Sequence, residues 1–332
     1  MNPEVTIIVV PRERFSYTQQ SLLSIYEYTE YPFNLIYVDG NSPAHIRDYL
    51  ARQSLEKQFQ LIRTDCYLSP NQARNIGLRQ VNSKYVVFID NDVVVTAGWL
   101  KSLVECAEAT AATIVSPLIC EGTPLHQQIH CAGGETGVLV ETNNGTIRRK
   151  IIEKIYKQGC RITDATQLQR QQTALAEFHC MMARTEIFQQ IGLLDEALLN
   201  TKEHIDLCML VQSKGGTVYL EPKSLMTYVF GTPLERTDIH YYMLRWSDAW
   251  EVASLKHLQQ KWNLTEDEYF QKRYKSLGWR RHMTIINPFA RNLPIGKIGS
   301  KIVAKILRFL DKRLNRYITS RYENKASKIS AI

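Results

Sequence analysis

The stretch that most constrains this chain is Tyr85-Val-Val-Phe-Ile89, an unbroken apolar and aromatic run that stops at Asp90-Asn91-Asp92. A run without alternation predicts a strand covered on both faces, as in a parallel sheet. It places two carboxylates, one residue apart, where a strand becomes a loop. In open α/β sheets ligands bind at the carboxyl ends of strands. Alternating carboxylates there suit a hard divalent cation, which takes oxygen ligands and leaves positions for phosphate oxygens. The expectation is an Asp90/Asp92 site for a divalent metal, Mn2+ or Mg2+, and a diphosphate. Asp and Asn are also favoured turn residues, so the same residues describe a bare turn as well.

Strands and helices alternate around that run. Val5–Val10 reads as a buried strand ended by Pro11, residues 16–29 as a helix, and Leu35–Val38 as a strand closed by Asp39-Gly40. Helix 44–57, strand 60–63, a helix opening near Ser69-Pro70 and running to about Val81, helix 97–109 and strand 113–116 continue the series. This predicts a mostly parallel sheet with crossover helices. Residues 120–175 read as less regular, with Arg148, Arg149 and Lys150 in a solvated loop. Strand-like Phe178–Arg184, helix 185–191, helix 203–213, strand 217–220 and an aromatic helical segment 238–262 follow.

The chain has 332 residues, 44% hydrophobic and 22% charged, ordinary for a globular protein. Seven scattered cysteines with no C-x-x-C pair fit reduced thiols in a cytoplasmic setting better than a disulfide framework or a zinc site. The start Met1-Asn-Pro-Glu lacks a basic n-region, and no stretch approaches a bilayer span. Of the net charge of +8, residues 291–332 carry eleven Lys/Arg and two acids, +9, which leaves −1 for residues 1–290. In the tail, Ile298, Ile302, Ile306, Leu310, Leu314 and Tyr317 recur every three or four residues beside a stripe of Lys301, Lys305, Arg308, Lys312 and Arg316. That pattern predicts a basic amphipathic helix over 297–318, suited to an anionic membrane surface or to packing on the body. A neutral body without a recognition module argues against nucleic acid.

Several polar residues stand at element ends. Asp39 can accept from a base N–H or close an Asx turn. Arg74, early in its helix, suits a phosphate or a base carbonyl. Glu203 and Asp206 are three apart at a helix start and share a face, with His204 a quarter-turn away; each is a candidate general base. His130, His179, His240, His257 and His282 are further candidates for a metal, with nothing in the pattern to choose among them. Trp246, Trp250 and Trp262 suit either a core or a sugar-stacking platform.

Seven segments in order resemble family 2 glycosyltransferases of the GT-A nucleotide-sugar fold: Val5–Pro11, Tyr37–Ser42, Ala73–Leu78, Tyr85–Val93 with Gly98-Trp99-Leu100, Phe178–Arg184, Gly192–Glu196 and Glu203–Cys208. The resemblance covers about residues 4–230. It implies that Pro11 and Glu13 lie beside the nucleotide, that Asp39 recognises the base, typically uracil, and that Arg74 lies near the base or diphosphate. Asp90 and Asp92 then bracket the sugar-diphosphate, Asp92 being the stronger metal-ligand candidate. The chain departs from the family where an Asp usually acts as base: that position is His204, so Glu203, His204 and Asp206 all remain candidates. The implied organisation is a GT-A catalytic domain over 1–232, a helical extension over 233–290 and a basic tail over 291–332. The implied activity is metal-assisted, inverting transfer from a nucleotide-diphospho-sugar to a glycan or lipid-linked hydroxyl, in the cytoplasm and peripherally at the inner face of the plasma membrane. The rivals are a non-catalytic nucleotide-sugar-binding scaffold of the same fold and a nucleotidyltransferase, whose glycine-rich N-terminal loop is absent.

Overall fold

A computed structural model describes residues 3–330 apart from 144, 166 and 232, with the backbone alone at 143 and 324–330. Met1, Asn2, the boundary residue Thr232 and the side chains of Lys325 and Lys328 thus lie outside the described residues.

The elements in chain order are β1 (Val5–Val10), α1 (Thr18–Tyr28), β2 (Asn34–Gly40), α2 (Ala44–Lys57), β3 (Gln60–Thr64), α3 (Pro70–Leu78), β4 (Tyr85–Asp90), β5 (Val93–Val95), α4 (Trp99–Thr110) and β6 (Ile114–Glu121). Then come β7 (Gln128–Cys131), β8 (Gly134–Asn143), β9 (Thr146–Ile155), β10 (Gln171–Thr173), β11 (Cys180–Arg184), α5 (Ile187–Ile191), α6 (Glu203–Ser213) and β12 (Val218–Tyr228). Helices α7 (Ile239–Arg245), α8 (Asp248–Lys261), α9 (Glu268–Lys275), α10 (Trp279–Arg281), α11 (Asn287–Arg291) and α12 (Gly296–Ser330) complete the chain.

The main sheet runs β10-β12-β6-β11-β4-β1-β2-β3. Strands β3, β2, β1 and β4 are parallel, and β11 runs antiparallel to both β4 and β6. Every residue of β1 and β4 is buried, as their unbroken apolar runs require. Two core clusters, one on each face, include Val87 and Trp99 on one side and Phe88 and Phe178 on the other. Helix α3 approaches β1 closely because it carries Gly77: a Cβ there would stand 2.6 Å from Ile8 Cγ2. That approach brings Arg74, one turn earlier, under the end of β4.

The segment 120–175 is more regular than its sequence suggests. It contains β7, the long hairpin β8–β9 and β10. Arg148, Arg149 and Lys150 lie on β9, not in a loop. The aromatic segment 238–262 divides at Ser247, whose hydroxyl accepts from Trp250 N–H and caps α8.

Helix α12 has an inverted packing. Its small and polar residues Ala304, Asp311, Asn315 and Thr319 face the body, whereas Ile298, Ile302, Ile306, Phe309, Leu314 and Tyr317 are exposed. Asp311 accepts from Arg281 Nε and Nη2, the latter at 2.8 Å, and both side chains are buried. Asn315 Nδ2 donates to Met243 O and its Oδ1 accepts from Asp248 N–H. No helix among the described residues is long and apolar enough to cross a membrane.

Removing one partner of a buried ion pair strands the other. Asp311→Ala should therefore destabilise the docking of α12 by about 3–5 kcal/mol. Urea unfolding, together with earlier proteolytic cleavage after residue 291, checks this.

Candidate active site

The carboxyl ends of β1, β2 and β4 meet on one edge of the sheet. Val10 pairs with Asp90, and Asp39 on β2 pairs with Arg63 on β3. The Asp90-Asn91-Asp92 loop is held to the segment after β1 by Asn91. Its Nδ2 donates to Arg14 O at 2.8 Å and its Oδ1 accepts from Arg12 N–H at 3.1 Å.

Asp90 is fully buried between two guanidinium groups, Arg12 at 3.2 Å and Arg74 at 3.0 Å. Burial alone would raise its pKa; His179, Arg12 and Arg74 overcome this and hold the carboxyl at about 2. Arg74 also stacks on Phe178, 3.9 Å from the ring centroid, and donates to Asn71. Helix α3, which carries it, opens at Pro70, and Gln72 Oε1 accepts from Ser69 N–H.

Asp92 contrasts with Asp90. It too is fully buried, yet neither carboxylate oxygen has a hydrogen-bond partner among the described residues. Burial, followed by the charges of Glu13 and Asp90, pushes its pKa well above the ordinary carboxylate range. Glu13 accepts from Tyr228 Oη at 2.8 Å and from Trp246 Nε1 at 3.0 Å. Asp39 is held by Ser42, through N–H and hydroxyl at 2.8 and 2.9 Å, and by Arg63. The Asx-type closure expected of Asp39 is thus present whatever else the residue does.

The three candidate bases on α6 meet different surroundings. Glu203 accepts from Arg245 Nη2 at 3.4 Å and lies 3.9 Å from Arg74. Asp206 turns to α8, accepting from Lys261 Nζ at 2.8 Å and from Trp262 Nε1 at 2.9 Å. His204 Nε2 has no hydrogen-bond partner among the described residues and stands 3.9 Å from Glu177 Oε1; burial lowers its pKa and keeps it neutral. The residue before the helix, Lys202, sits in the left-handed region at φ 70°, a conformation that costs a non-glycine residue about 1–2 kcal/mol. Its ammonium is fixed by both Glu153 oxygens at 2.7 Å.

Glu203 and His204, with Arg12, Lys202, Arg245 and Trp246, line a cavity of about 510 Å³. Its wall also holds Arg273 and Arg280 against Glu153, Glu177 and Glu251, a mixed-charge surface suited to phosphate and hydroxyl groups. Asp206 is not part of that lining.

The expected nucleotide residues are covered by the chain itself. Pro11, Glu13, Asp39, Arg74 and Asp90 are all buried. Asp238 accepts from Phe15 N–H and from Ser16 N–H and Oγ. Tyr241 Oη on α7 donates towards Pro11 O and Leu68 O, and Arg245 Nε donates to Arg12 O. Of the histidines, His179 stacks on Tyr228 at 3.9 Å between centroids, and His130 and His179 converge on Glu177. His257 pairs with Asp195 and His282 with Asp311, away from the Asp-x-Asp pair. Arg12 and Glu177 went unread in the sequence. The one available signal for Glu177 was its two-residue spacing from His179, which places both on one side of an extended segment.

The model for glycosyl transferase family 2 matches residues 6–192, more than half of the chain. The chain belongs to glycosyl transferase family 2. The pre-mycofactocin glycosyltransferases of two Mycobacterium tuberculosis strains are each 26% identical over 165 residues, which is 50% of this chain and 31% of theirs. The chain therefore spans about a third of the length of these curated relatives. Among solved structures, GalNAc-T7 with UDP, GalNAc and Mn2+ aligns at TM-score 0.51 and 14% identity, over 89% of this chain and 58% of that one. S. aureus TarS aligns at TM-score 0.49 and 14% identity, over 89% and 46%. The fold is GT-A, as the order of segments in the sequence implied.

Burial also shapes the acid response of the cavity. Glu153 lies at about 2: burial would raise it, but Lys202, Arg273 and His204 pull it down. A carboxylate depressed in the folded state contributes stability above its unfolded value of about 4.3 and loses it as pH falls through the folded value. Glu153→Gln should cost about 3 kcal/mol at neutral pH and flatten the acid limb below about pH 4.5. Urea midpoints measured against pH test both.

Proposed function

We propose that this chain transfers a sugar from a nucleotide-diphospho-sugar, UDP-linked, to a hydroxyl of a glycan or lipid-linked acceptor, with inversion at the anomeric carbon. The observation that carries the reading is Asp92, a buried carboxylate beside Glu13 and Asp90 with no hydrogen-bond partner among the described residues. Such a group fits a divalent cation, Mn2+ or Mg2+, with Asp92 as principal ligand and Asp90 beside it. The cation's chemistry is that of a Lewis acid for the departing diphosphate. UDP and Mn2+ in the GalNAc-T7 structure support the same donor class.

The chain's own residues supply the remainder. Arg12, Arg74 and Arg245 provide positive charge near the diphosphate position, fixed before the leaving group develops its own charge. Pro11, Glu13 and Asp39 flank the nucleotide. The acceptor oxygen attacks the anomeric carbon as the bond to the β-phosphate oxygen breaks, and the hydroxyl proton passes to a base. His204 is that base: it is neutral, its Nε2 has no hydrogen-bond partner among the described residues, and it lines the cavity. Glu203 positions Arg245 and Arg74, and Asp206 anchors α6 through Lys261 and Trp262. Donor binding requires α7 to move off Pro11 and Leu68, so residues 233–290 act as a cover on the 1–232 catalytic unit.

The coverage also favours a second reading, a nucleotide-sugar-binding scaffold that no longer transfers. Turnover separates the two. With Mn2+, the wild type is expected to hydrolyse a UDP-sugar slowly, and Asp92→Ala to reduce the rate by roughly 100-fold or more. UDP that stabilises the protein without metal and is never turned over with any donor sugar selects the scaffold.

The same reading gives the 291–332 tail a role at an anionic bilayer. Its Ile298, Ile302, Ile306 and Leu314 stripe is exposed between lysines and arginines. Each cation near such a surface adds about 1 kcal/mol. Ile302→Glu with Ile306→Glu should abolish co-sedimentation with phosphatidylserine vesicles, and salt should weaken wild-type binding. Unchanged co-sedimentation rejects the membrane reading.

A further inference from the structure

Apart from the Asp-x-Asp pair, the described residues bring one set of imidazole and carboxylate groups to a single point. His130 lies on β7, and Glu177 and His179 lie just before β11. His130 Nε2 is 3.0 Å and His179 Nε2 is 3.4 Å from the same Glu177 oxygen, Oε2. One ligand atom from each of the three lies within 4.8 Å of the others. Ligand atoms of a tetrahedral zinc, about 2.0–2.1 Å from the ion, stand about 3.3 Å apart. The two distances to Glu177 Oε2, 3.0 and 3.4 Å, are of that size.

The outer nitrogens strengthen the case. His130 Nδ1 is 2.7 Å from Glu121 Oε2, and His179 Nδ1 is 3.4 Å from Asp90 Oδ2. A carboxylate thus stands behind each imidazole, hydrogen-bonded for His130 and within ion-pair distance for His179, the kind of arrangement that orients metal-bound histidines and raises their basicity. His130 is hydrogen-bonded at both nitrogens, to Glu121 and Glu177, whereas the buried His179 Nδ1 has no hydrogen-bond partner among the described residues.

We propose that His130, Glu177 and His179 form a cation site distinct from Asp92, taking a late divalent d-block ion of the zinc class. Two nitrogen donors and one oxygen select such an ion over Mg2+, which prefers an all-oxygen shell. His130 and Glu177 also line the cavity, so the fourth position opens towards it. The ion ties β7 to the start of β11 and fixes a positive centre in the wall. This inference is independent of sugar transfer, because its readout is bound metal.

The test uses the purified full chain equilibrated with Zn2+ and then desalted. Mass-spectrometric metal analysis is expected to find near-stoichiometric zinc, and Co2+ loaded instead should give the visible absorption of a low-coordinate nitrogen–oxygen site. Glu177→Gln and His179→Ala should lose the metal, Glu121→Gln should weaken binding by about 10–100-fold, and Asp92→Asn should retain it. Circular dichroism checks the fold of each variant. A folded wild type that releases zinc on desalting overturns the site, as do ligand variants that retain it. Loss confined to Asp92→Asn assigns the ion to the Asp-x-Asp pair and also overturns the proposal. If His179→Ala does not fold, the wild-type cobalt spectrum and Glu177→Gln decide.

Discussion

The burial of charge at the end of β4 is the constraint around which the rest of the molecule is arranged. Asp90 and Asp92 have no exposed surface, and an uncompensated carboxylate in such a place costs several kcal/mol. Asp90 is compensated twice, by Arg12 from the loop after β1 and by Arg74 from α3. Arg74 is itself fully buried and Arg12 is mostly covered, so both need their own partners. Arg74 finds Phe178 and Asn71, while Arg12 lies over Tyr228. The charges at the site therefore propagate inward through a network, and Asp92 is the member left without a hydrogen bond among the described residues.

The C-terminal helices answer a second need. The loops after β1 and β3 leave backbone groups at the sheet edge that must be satisfied once water is excluded. Asp238, Tyr241 and Arg245 supply those partners from a segment 173 to 233 residues away. Arg281 and Asp311 then pin α12 across the cover. The polar face of α12 is used for this docking, which leaves its apolar stripe turned outward.

Much of this was legible in the sequence because it follows from local pattern. Unbroken apolar runs marked β1 and β4, and residues at their ends marked the edge where Asp39, Asp90 and Asp92 lie. Segments of alternating or mixed polarity were harder. The β8–β9 hairpin was missed because its strands carry charged residues on exposed faces, as Arg148 and Lys150 do, and lack the apolar runs that marked β1 and β4. The amphipathic period of α12 was plain, but which face docks was not: Asp311, Asn315 and Thr319 are ordinary helix-surface residues until a buried Arg281 and the backbone of Met243 meet them.

The sequence by itself determined the parallel α/β core, the family and the residues at strand ends, because the period of burial and the order of segments are properties of the chain alone. Only the tertiary structure decided what those residues touch. It separated Glu203, His204 and Asp206 into different surroundings, paired Asp90 while leaving Asp92 without a hydrogen-bond partner among the described residues, laid α7 over the loops after β1 and β3 and brought His130 to Glu177 and His179. Each of these depends on contacts between residues far apart in the chain. Spacing along a helix or strand fixes a side chain's direction, not the partner it meets.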